Sequence, residues 1–254
     1  MRVAVVIPAY NEATTIRDVV ARALAQCPTV IVVDDGSTDA TADALADLGA
    51  TVLRHERNYG KAAALCSGFE HALALGVDAV ITLDGDGQHR PEDIPRMVSA
   101  AVKSPDRIII GSRIANCAAF PRQRYYANCT ASFWISWAAG YRLHDSQSGF
   151  RLYPATVLKR LHIPHDRAHG FVFESEILIE AARAGVYSES IPIEAIYGAH
   201  ARASHFRSVV DVLRIARMVA WKLVSRAMYP QGFVRAFLGR TTPRSAEIAR
   251  DARR

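Results

Sequence analysis

Short apolar, β-branched runs alternate with amphipathic stretches from the start of the chain. VAVVIP (residues 3–8), TVIVVDD (29–35), TVLRH (51–55), DAVITLD (78–84) and RIIIGSR (107–113) read as strands. Between them, ATTIRDVVARALA (13–25), TDATADALADL (38–48), KAAALCSGFEHALAL (61–75) and PEDIPRMVSAAV (91–102) carry helical spacing. Ser37 or Thr38 is expected to cap the second of these helices, and Pro91 to sit in the first turn of the fourth. Apolar strands in strict alternation with helices predict a mostly parallel, doubly wound α/β sheet with helices on both faces.

After residue 113 the pattern loosens. TASFWISWAAG is an aromatic stretch within 120–140, and DSQSGFRLY (145–153) reads as a loop entering a strand. GFVFESEILIEAARAG (170–185) reads as a loop and a helix closed by Gly185, followed by a strand in VYSESIPIEAIY. HFRSVVDVLRIARMVAWKLVSRAMYP (205–230) predicts a long amphipathic helix stopped by Pro230. Its apolar stripe is expected at 209, 213, 216, 220, 223 and 227, opposite Arg207, Asp211, Arg214 and Lys222. The tail GRTTPRSAEIARDARR is basic, poor in apolar residues and expected to fray. The organisation expected is a domain over 1–205, a basic amphipathic helix over 206–230 and a flexible tail over 231–254.

Composition adds bounds. Half of the 254 residues are hydrophobic and 22% are charged, which suits a globular chain with a substantial core. No apolar run approaches the ~18–20 residues that span a bilayer, and MRVAVVIPAYNEA reads as an opening strand, not a signal peptide. Four cysteines without CxxC spacing or neighbouring histidines read as reduced structural thiols of a cytosolic protein. From residue 201 onward there are twelve Lys/Arg against three Asp/Glu, a net +9 in a chain of net +6, so residues 1–200 carry −3. A basic C-terminal segment of that kind meets something anionic, a membrane surface or nucleic acid.

The chemistry gathers where strands end, at Asp34–Asp35, Asp84–Asp86 and Gly111–Arg113, the side on which open α/β sheets bind ligands. In TLDGDGQHRPE (82–92), Asp84 and Asp86 share a face if the segment stays extended, and like charges so close repel unless a cation or donors lie between them. A calcium loop of EF-hand type fails, because its glycine and glutamate positions hold His89 and Pro95. The dinucleotide fingerprint matches only to its second glycine, and Asn58–Lys61 lacks the features of a P-loop. What remains is a hard-cation site for Mg²⁺ or Mn²⁺ on Asp84, Asp86 and Gln88, shared with a diphosphate, or a polar turn whose aspartates cap the helix at Pro91.

Taken together, VVIPAYNEA (5–13), VVDDGSTDAT (32–41), NYGKAAAL (58–65), TLDGDGQHRPEDI (82–94), GSR (111–113), DSQSGFRLY (145–153) and GFVFESEI (170–177) resemble family 2 glycosyltransferases of the GT-A fold. The resemblance is to the dolichol-phosphate mannose synthase-like, polyprenyl-phosphate branch, over residues 3–205. It implies metal-dependent, inverting transfer from a GDP- or UDP-linked sugar by direct attack, without a covalent sugar–enzyme intermediate. Carried over residue by residue, it places Pro8, Tyr10, Glu12, Asp34 and Asp35 on base and ribose, and Asp84, Asp86 and Gln88 on the metal, with Asp84 also beside the nucleotide. Lys61 touches phosphates or is a solvated lysine; His89 is expected beside the metal or at the surface.

A phosphate acceptor is already an anion and needs cations to position it, whereas a hydroxyl needs a base. Arg113, Arg122, Arg124, Ser148, Arg151 and Arg202 are the residues expected at the acceptor phosphate. Asp86, Asp145, Arg113 and Arg151 are expected to be catalytic, with Asp145 a base or the group that orients Arg151. Glu176 matches the acidic position of GFxFxxE, with a structural role open to it. Two departures stand out: Ser204-His205 replaces a common Ser-Lys pair, and the branch's transmembrane helices give way to the basic helix 207–226 with Trp221 and Tyr229 near its end. That helix either docks on anionic lipid, peripherally at the inner face of the membrane, or packs on the domain with its charges in water. The competing readings are transfer to a hydroxyl on a lipid, glycan or small molecule, nucleotidyl transfer, and nucleic-acid binding through the C-terminus. Nucleotidyl transfer would want a Gly-rich basic loop where PAYNEA stands, and the C-terminus lacks the interleaved aromatics of a nucleic-acid binder. Sugar, base and oligomeric state are left open by the sequence.

Overall fold

A computed structural model describes residues 1–113, 122–161, 171–194 and 208–238, with backbone alone at 122–124, 171 and 208–213. The strands are β1 (Val3–Ala9), β2 (Val30–Asp34), β3 (Thr51–Arg54), β4 (Ala79–Thr82), β5 (Ile108–Ser112), β6 (Arg151–Pro154) and β7 (Ser188–Pro192). They form one sheet in the order β3-β2-β1-β4-β6-β5-β7. All neighbours are parallel except β6, which runs antiparallel to both β4 and β5. The helices are α1 (Ile16–Gln26), α2 (Lys61–Ala74), α3 (Ile94–Lys103), α4 (Arg122–Ala139), α5 (Ala155–Arg160), α6 (Phe171–Arg183), α7 (Ser208–Val224) and α8 (Pro230–Phe233).

Alternate strand residues feed two cores, one on each face. Val5, Ile7, Val32, Ile81 and Ile109 join α1 and α3, while Val6, Val33, Val80, Ile108 and Ile110 join α2, α4, α6 and α7. Both faces being covered is why the strands read as unbroken apolar runs. Cys27 and Cys66 are buried free thiols, and burial pushes the Cys66 thiol up to about 12, so it is inert.

Two expectations are corrected. The helix predicted over 38–48 is only a 3₁₀ turn at Asp43–Leu45. Its polar side chains bond elsewhere: Asn11 N–H donates to Ser37 Oγ (2.9 Å), Thr38 N–H to Asn11 Oδ1 (2.8 Å) and Glu12 N–H to Thr41 Oγ1 (2.8 Å). Ser37 and Thr38 therefore tie two loops together, and neither caps a helix. The C-terminal helix ends at Val224, six residues early, and its buried stripe is Ile215, Val219 and Leu223. Ala216 and Ala220 face out. Alanine has little apolar area to bury, and the larger side chains decide the rotation. Lys222, expected on the polar face, turns inward to Glu176 (2.7 Å) and Glu180 on α6.

Candidate active site

The carboxyl ends of β2, β1, β4 and β5 and the entrance of β6 lie on one side of the sheet, because β6 runs against its neighbours. At the end of β2, Asp34 Oδ1 accepts from Ser37 N–H (2.9 Å). Its Oδ2 is buried without a hydrogen bond, with only Arg54 Nε at 3.4 Å. That is an acceptor waiting for a donor group. Asp35 is already committed: it accepts from His55 Nδ1 (2.7 Å), Tyr59 N–H (3.0 Å) and Gly60 N–H (2.7 Å). It thereby fixes the entry to α2, where Gly60 takes a φ of 96° that a side chain would resist. Glu12 is buried beneath these loops, with Thr15 Oγ1 3.3 Å from its Oε2.

At the end of β4, Asp84 Oδ1 lies 2.6 Å from Lys61 Nζ, and Lys61 Nζ lies 3.1 Å from Glu174 Oε2. Burial opposes the charge on Asp84, but Lys61, His89 and Arg113 hold its carboxyl below the ordinary value. Asp86 is pushed the other way, to about 6, by burial and then by Asp84. Its Oδ1 accepts from Gln88 N–H (3.0 Å). The capping alternative fails, since the turn at Pro91–Asp93 has no side-chain cap. Gly149 is required here: a Cβ on it would stand 2.3 Å from Asp84 Oδ2. His89 is buried, its ring centroid 5.6 Å from that of Phe150, and its Nδ1 has no hydrogen-bond partner. Burial, then Arg113, pushes it down to about 4, so it is neutral.

At the end of β5, Arg113 lies against Asp145, donating from N–H (2.8 Å), Nε (3.2 Å) and Nη2 (3.1 Å). Asn128 Nδ2 on α4 donates to Asp145 Oδ1 (2.6 Å), the oxygen that also accepts from Arg113 Nη2. Burial opposes the charge on Asp145, but Arg113 and Asn128 keep its carboxyl below the usual range. Asp145 thus orients Arg113, not Arg151. Arg151 is fully buried and donates to the carbonyls of Ser146 (2.8 Å), Ser148 (2.7 Å) and Glu174 (2.5 Å). It braces the loop before β6 against α6. Ser148 is buried in the same loop. The side chains of Arg122 and Arg124, and Arg202 entirely, lie outside the described residues.

Four residues that sequence reasoning missed complete the picture. Glu174, not Glu176, is the acid at the site, while Glu176 pairs with Lys222 on α7. The signal was available in part: the less buried positions of α6 include 176, 180 and 183, a single helical stripe that carries Glu176, while Glu174 lies among the buried residues. Asn128, Ser132 and Ser136 form a polar ladder on α4: Ser132 Oγ donates to Asn128 Oδ1 (3.2 Å), and Ser136 Oγ to Ser132 O (2.5 Å). Their spacing of four is legible in the sequence.

Among the described residues, no three His, Cys, Asp or Glu side chains cluster in a way that could hold a metal by themselves. The oxygen donors present, Asp84, Asp86 and Gln88, still fit a hard cation. The charge on Asp86 is opposed by burial and by Asp84, and the Gln88 N–H and Lys61 offset this only in part. A cation here would complete its shell with oxygens of a ligand.

Residues 4–175 match the family described as Glycosyl transferase family 2, and the chain belongs to that family. It is a glycosyltransferase whose relatives act with polyprenyl phosphates by name. It is 32% identical over 239 residues to a UDP-N-acetylglucosamine–dolichyl-phosphate N-acetylglucosaminyltransferase of Methanococcus voltae, covering 86% of this chain and 95% of the relative. It is 32% identical to polyprenol monophosphomannose synthase of Mycolicibacterium smegmatis, covering 76% of each. The fold is GT-A-like: a crystal structure of Mycobacterium tuberculosis glucosyl-3-phosphoglycerate synthase with Mn²⁺, UDP and phosphoglyceric acid matches with a TM-score of 0.63. That match covers 89% of this chain and 78% of the other at 21% identity.

Proposed function

We propose that this protein transfers a sugar from a nucleotide sugar, GDP- or UDP-linked, to a polyprenyl phosphate, with inversion and with Mg²⁺ or Mn²⁺ bound at Asp84, Asp86 and Gln88. The observation that carries it is Arg113. Asp145 and Asn128 aim this guanidinium from the β5 end while it acts electrostatically on Asp84 at the β4 end. An acceptor phosphate seated on Arg113 is therefore brought up to a donor held beside Asp84 and Asp86.

On the donor side, Asp34 Oδ2 is suited to accept from base or ribose, with Pro8, Tyr10 and Glu12 on the neighbouring β1 end. Asp35 acts behind them by holding the 55–60 loop. A bound divalent ion would serve as a Lewis acid on the leaving diphosphate. Lys61 supplies a second positive charge at the same place. A phosphate oxygen is its own nucleophile and needs no base, which suits a site whose nearest acid on the acceptor side, Asp145, is ionised and enclosed.

The lipid acceptor implies work at a membrane surface. No helix among the described residues is long and apolar enough to cross a membrane. The region of α4, α8 and the residues after it instead exposes Phe133, Trp134, Val234 and Leu238, with Phe133 stacked on Phe237, Trp134 stacked on Trp137, and Phe233 edge-on to Trp137. Arg235 lies within that patch and Arg226 stacks on Tyr229 beside it (3.8 Å), and both are exposed. Aromatic and cationic groups together fit anionic lipid headgroups at the inner, cytoplasmic face.

The test is transfer from radiolabelled GDP- and UDP-sugars to undecaprenyl phosphate or undecaprenol in phosphatidylglycerol vesicles, with Mn²⁺ or chelator. Lipid-linked label is expected only with the phosphate and the metal. Label on undecaprenol alone overturns the phosphate reading, and undiminished transfer in chelator overturns the metal.

A further inference from the structure

Lys61 sits where two acids from different parts of the chain converge. Its ammonium is 2.6 Å from Asp84 Oδ1, in the loop after β4, and 3.1 Å from Glu174 Oε2, on the first turns of α6. Glu174 is buried, and its other oxygen, Oε1, has no hydrogen bond. A buried carboxylate with one oxygen unfilled has room to take more of a cation that it now shares. The acid is also rigidly placed, because Arg151 grips its backbone carbonyl together with those of Ser146 and Ser148.

An ammonium and a divalent cation cannot both sit against Asp84 without strong like-charge repulsion. We propose that Lys61 is the resident counterion of Asp84 in the empty site, and that Glu174 is the positioning residue that draws Lys61 aside when the metal arrives. The proposal rests on the metal–diphosphate reading above and deepens it. Before donor binds, Lys61 neutralises Asp84. When metal and diphosphate enter together, the metal takes Asp84 and Asp86. Lys61 then stays on Glu174 and gains the diphosphate oxygens as a new partner. Metal alone must displace Lys61 without offering it a substitute, so metal and nucleotide bind with positive coupling.

The test is Mn²⁺ binding by calorimetry, alone and with UDP or GDP, on the parent, Lys61→Met and the double variant Lys61→Met/Glu174→Gln. The double variant removes the cation together with one of its acids, so that folding need not tolerate two unpaired buried carboxylates. With the counterion gone, Mn²⁺ alone is expected to bind roughly tenfold more tightly, while the nucleotide diphosphate in saturating Mn²⁺ binds roughly tenfold more weakly. This crossing of signs is what a merely structural lysine would not produce. Unchanged or weaker binding of Mn²⁺ alone in a variant with the parent's circular dichroism overturns the counterion role but leaves the metal site standing. No Mn²⁺ binding to the parent even with both nucleotides overturns the metal reading itself.

Discussion

The two sides of the crevice are built on opposite principles. The donor side, at the ends of β1, β2 and β4, gathers Glu12, Asp34, Asp84 and Asp86 and leaves Asp34 Oδ2 without a hydrogen bond. The acceptor side, at the end of β5, has Arg113 locked to a fully occupied acid. One side has affinity in reserve for cations and hydroxyl donors; the other presents a positive charge held by a buried acid whose two oxygens already have partners. The lesson is that a site for two anions needs carboxylates that gain partners on binding and an arginine that keeps the partner it has.

The strongest way to break this comparison is at Asp86. Asp86→Asn is expected to lower sugar transfer about 10³-fold without loss of fold, because the metal's share of leaving-group stabilisation is several kcal/mol. Transfer within a factor of three of the parent would remove the acid pair from the mechanism. Arg113→Ala should reduce transfer to the lipid phosphate about 10²-fold, while the thermal shift produced by the nucleotide is unchanged. Equal losses in both assays would show that Arg113 belongs to the donor side. Replacing Phe133 and Trp134 together by serine is expected to weaken co-sedimentation with anionic vesicles about tenfold. Sedimentation at the parent's level would locate membrane contact elsewhere.

The smallest effect is expected at a pair outside the crevice. Arg22 holds Glu92 at 2.7 Å and, with burial opposing, keeps its carboxyl down at about 2. A depressed carboxyl stabilises the fold above its usual value of 4.5 and loses that contribution as the pH falls toward 2. The side chain is 41% exposed, so after solvent screening Glu92→Gln should lower stability at pH 7 by no more than about 1 kcal/mol. Denaturant titrations at pH 7 and pH 3 check it, and the difference should shrink at the lower pH with activity at pH 7 unaffected.

How much was legible in the sequence follows the same division. Apart from 38–48, the strands and helices through residue 113 stand within a few residues of where the apolar pattern put them, and β1, β2, β4 and β5 are buried almost throughout. The 38–48 segment misled because its Thr38, Asp39 and Thr41 side chains, with Ser37 before them, bond to the 11–13 loop, a tertiary choice that helical spacing does not register. At the ends of β1, β2 and β4 each short motif delivers its acid at a strand end, and the parallel order of those strands brings the acids together. On the acceptor side, Asp145 meets Arg113 and Asn128 across 32 and 17 residues of chain. Arg151 lies fully buried against three backbone carbonyls, a placement that its charge alone does not reveal. Glu176 matches the acidic position of the motif and pairs with Lys222, the structural role left open to it, while the buried Glu174 beside it meets Lys61.

The reversed direction of β6 has a consequence for how specificity can vary. The stretch 145–151 leads into that strand and touches both substrates' sides at once. Asp145 steadies Arg113, Gly149 makes room for Asp84, and Arg151 anchors the Glu174 carbonyl. On the proposed reading, a change at Asp145, Gly149 or Arg151 would disturb donor and acceptor sites together. The segment therefore behaves as a common chassis, and adaptation to a new sugar or a new carrier must be written at the rims of the crevice, where one side can be retuned and the other left alone.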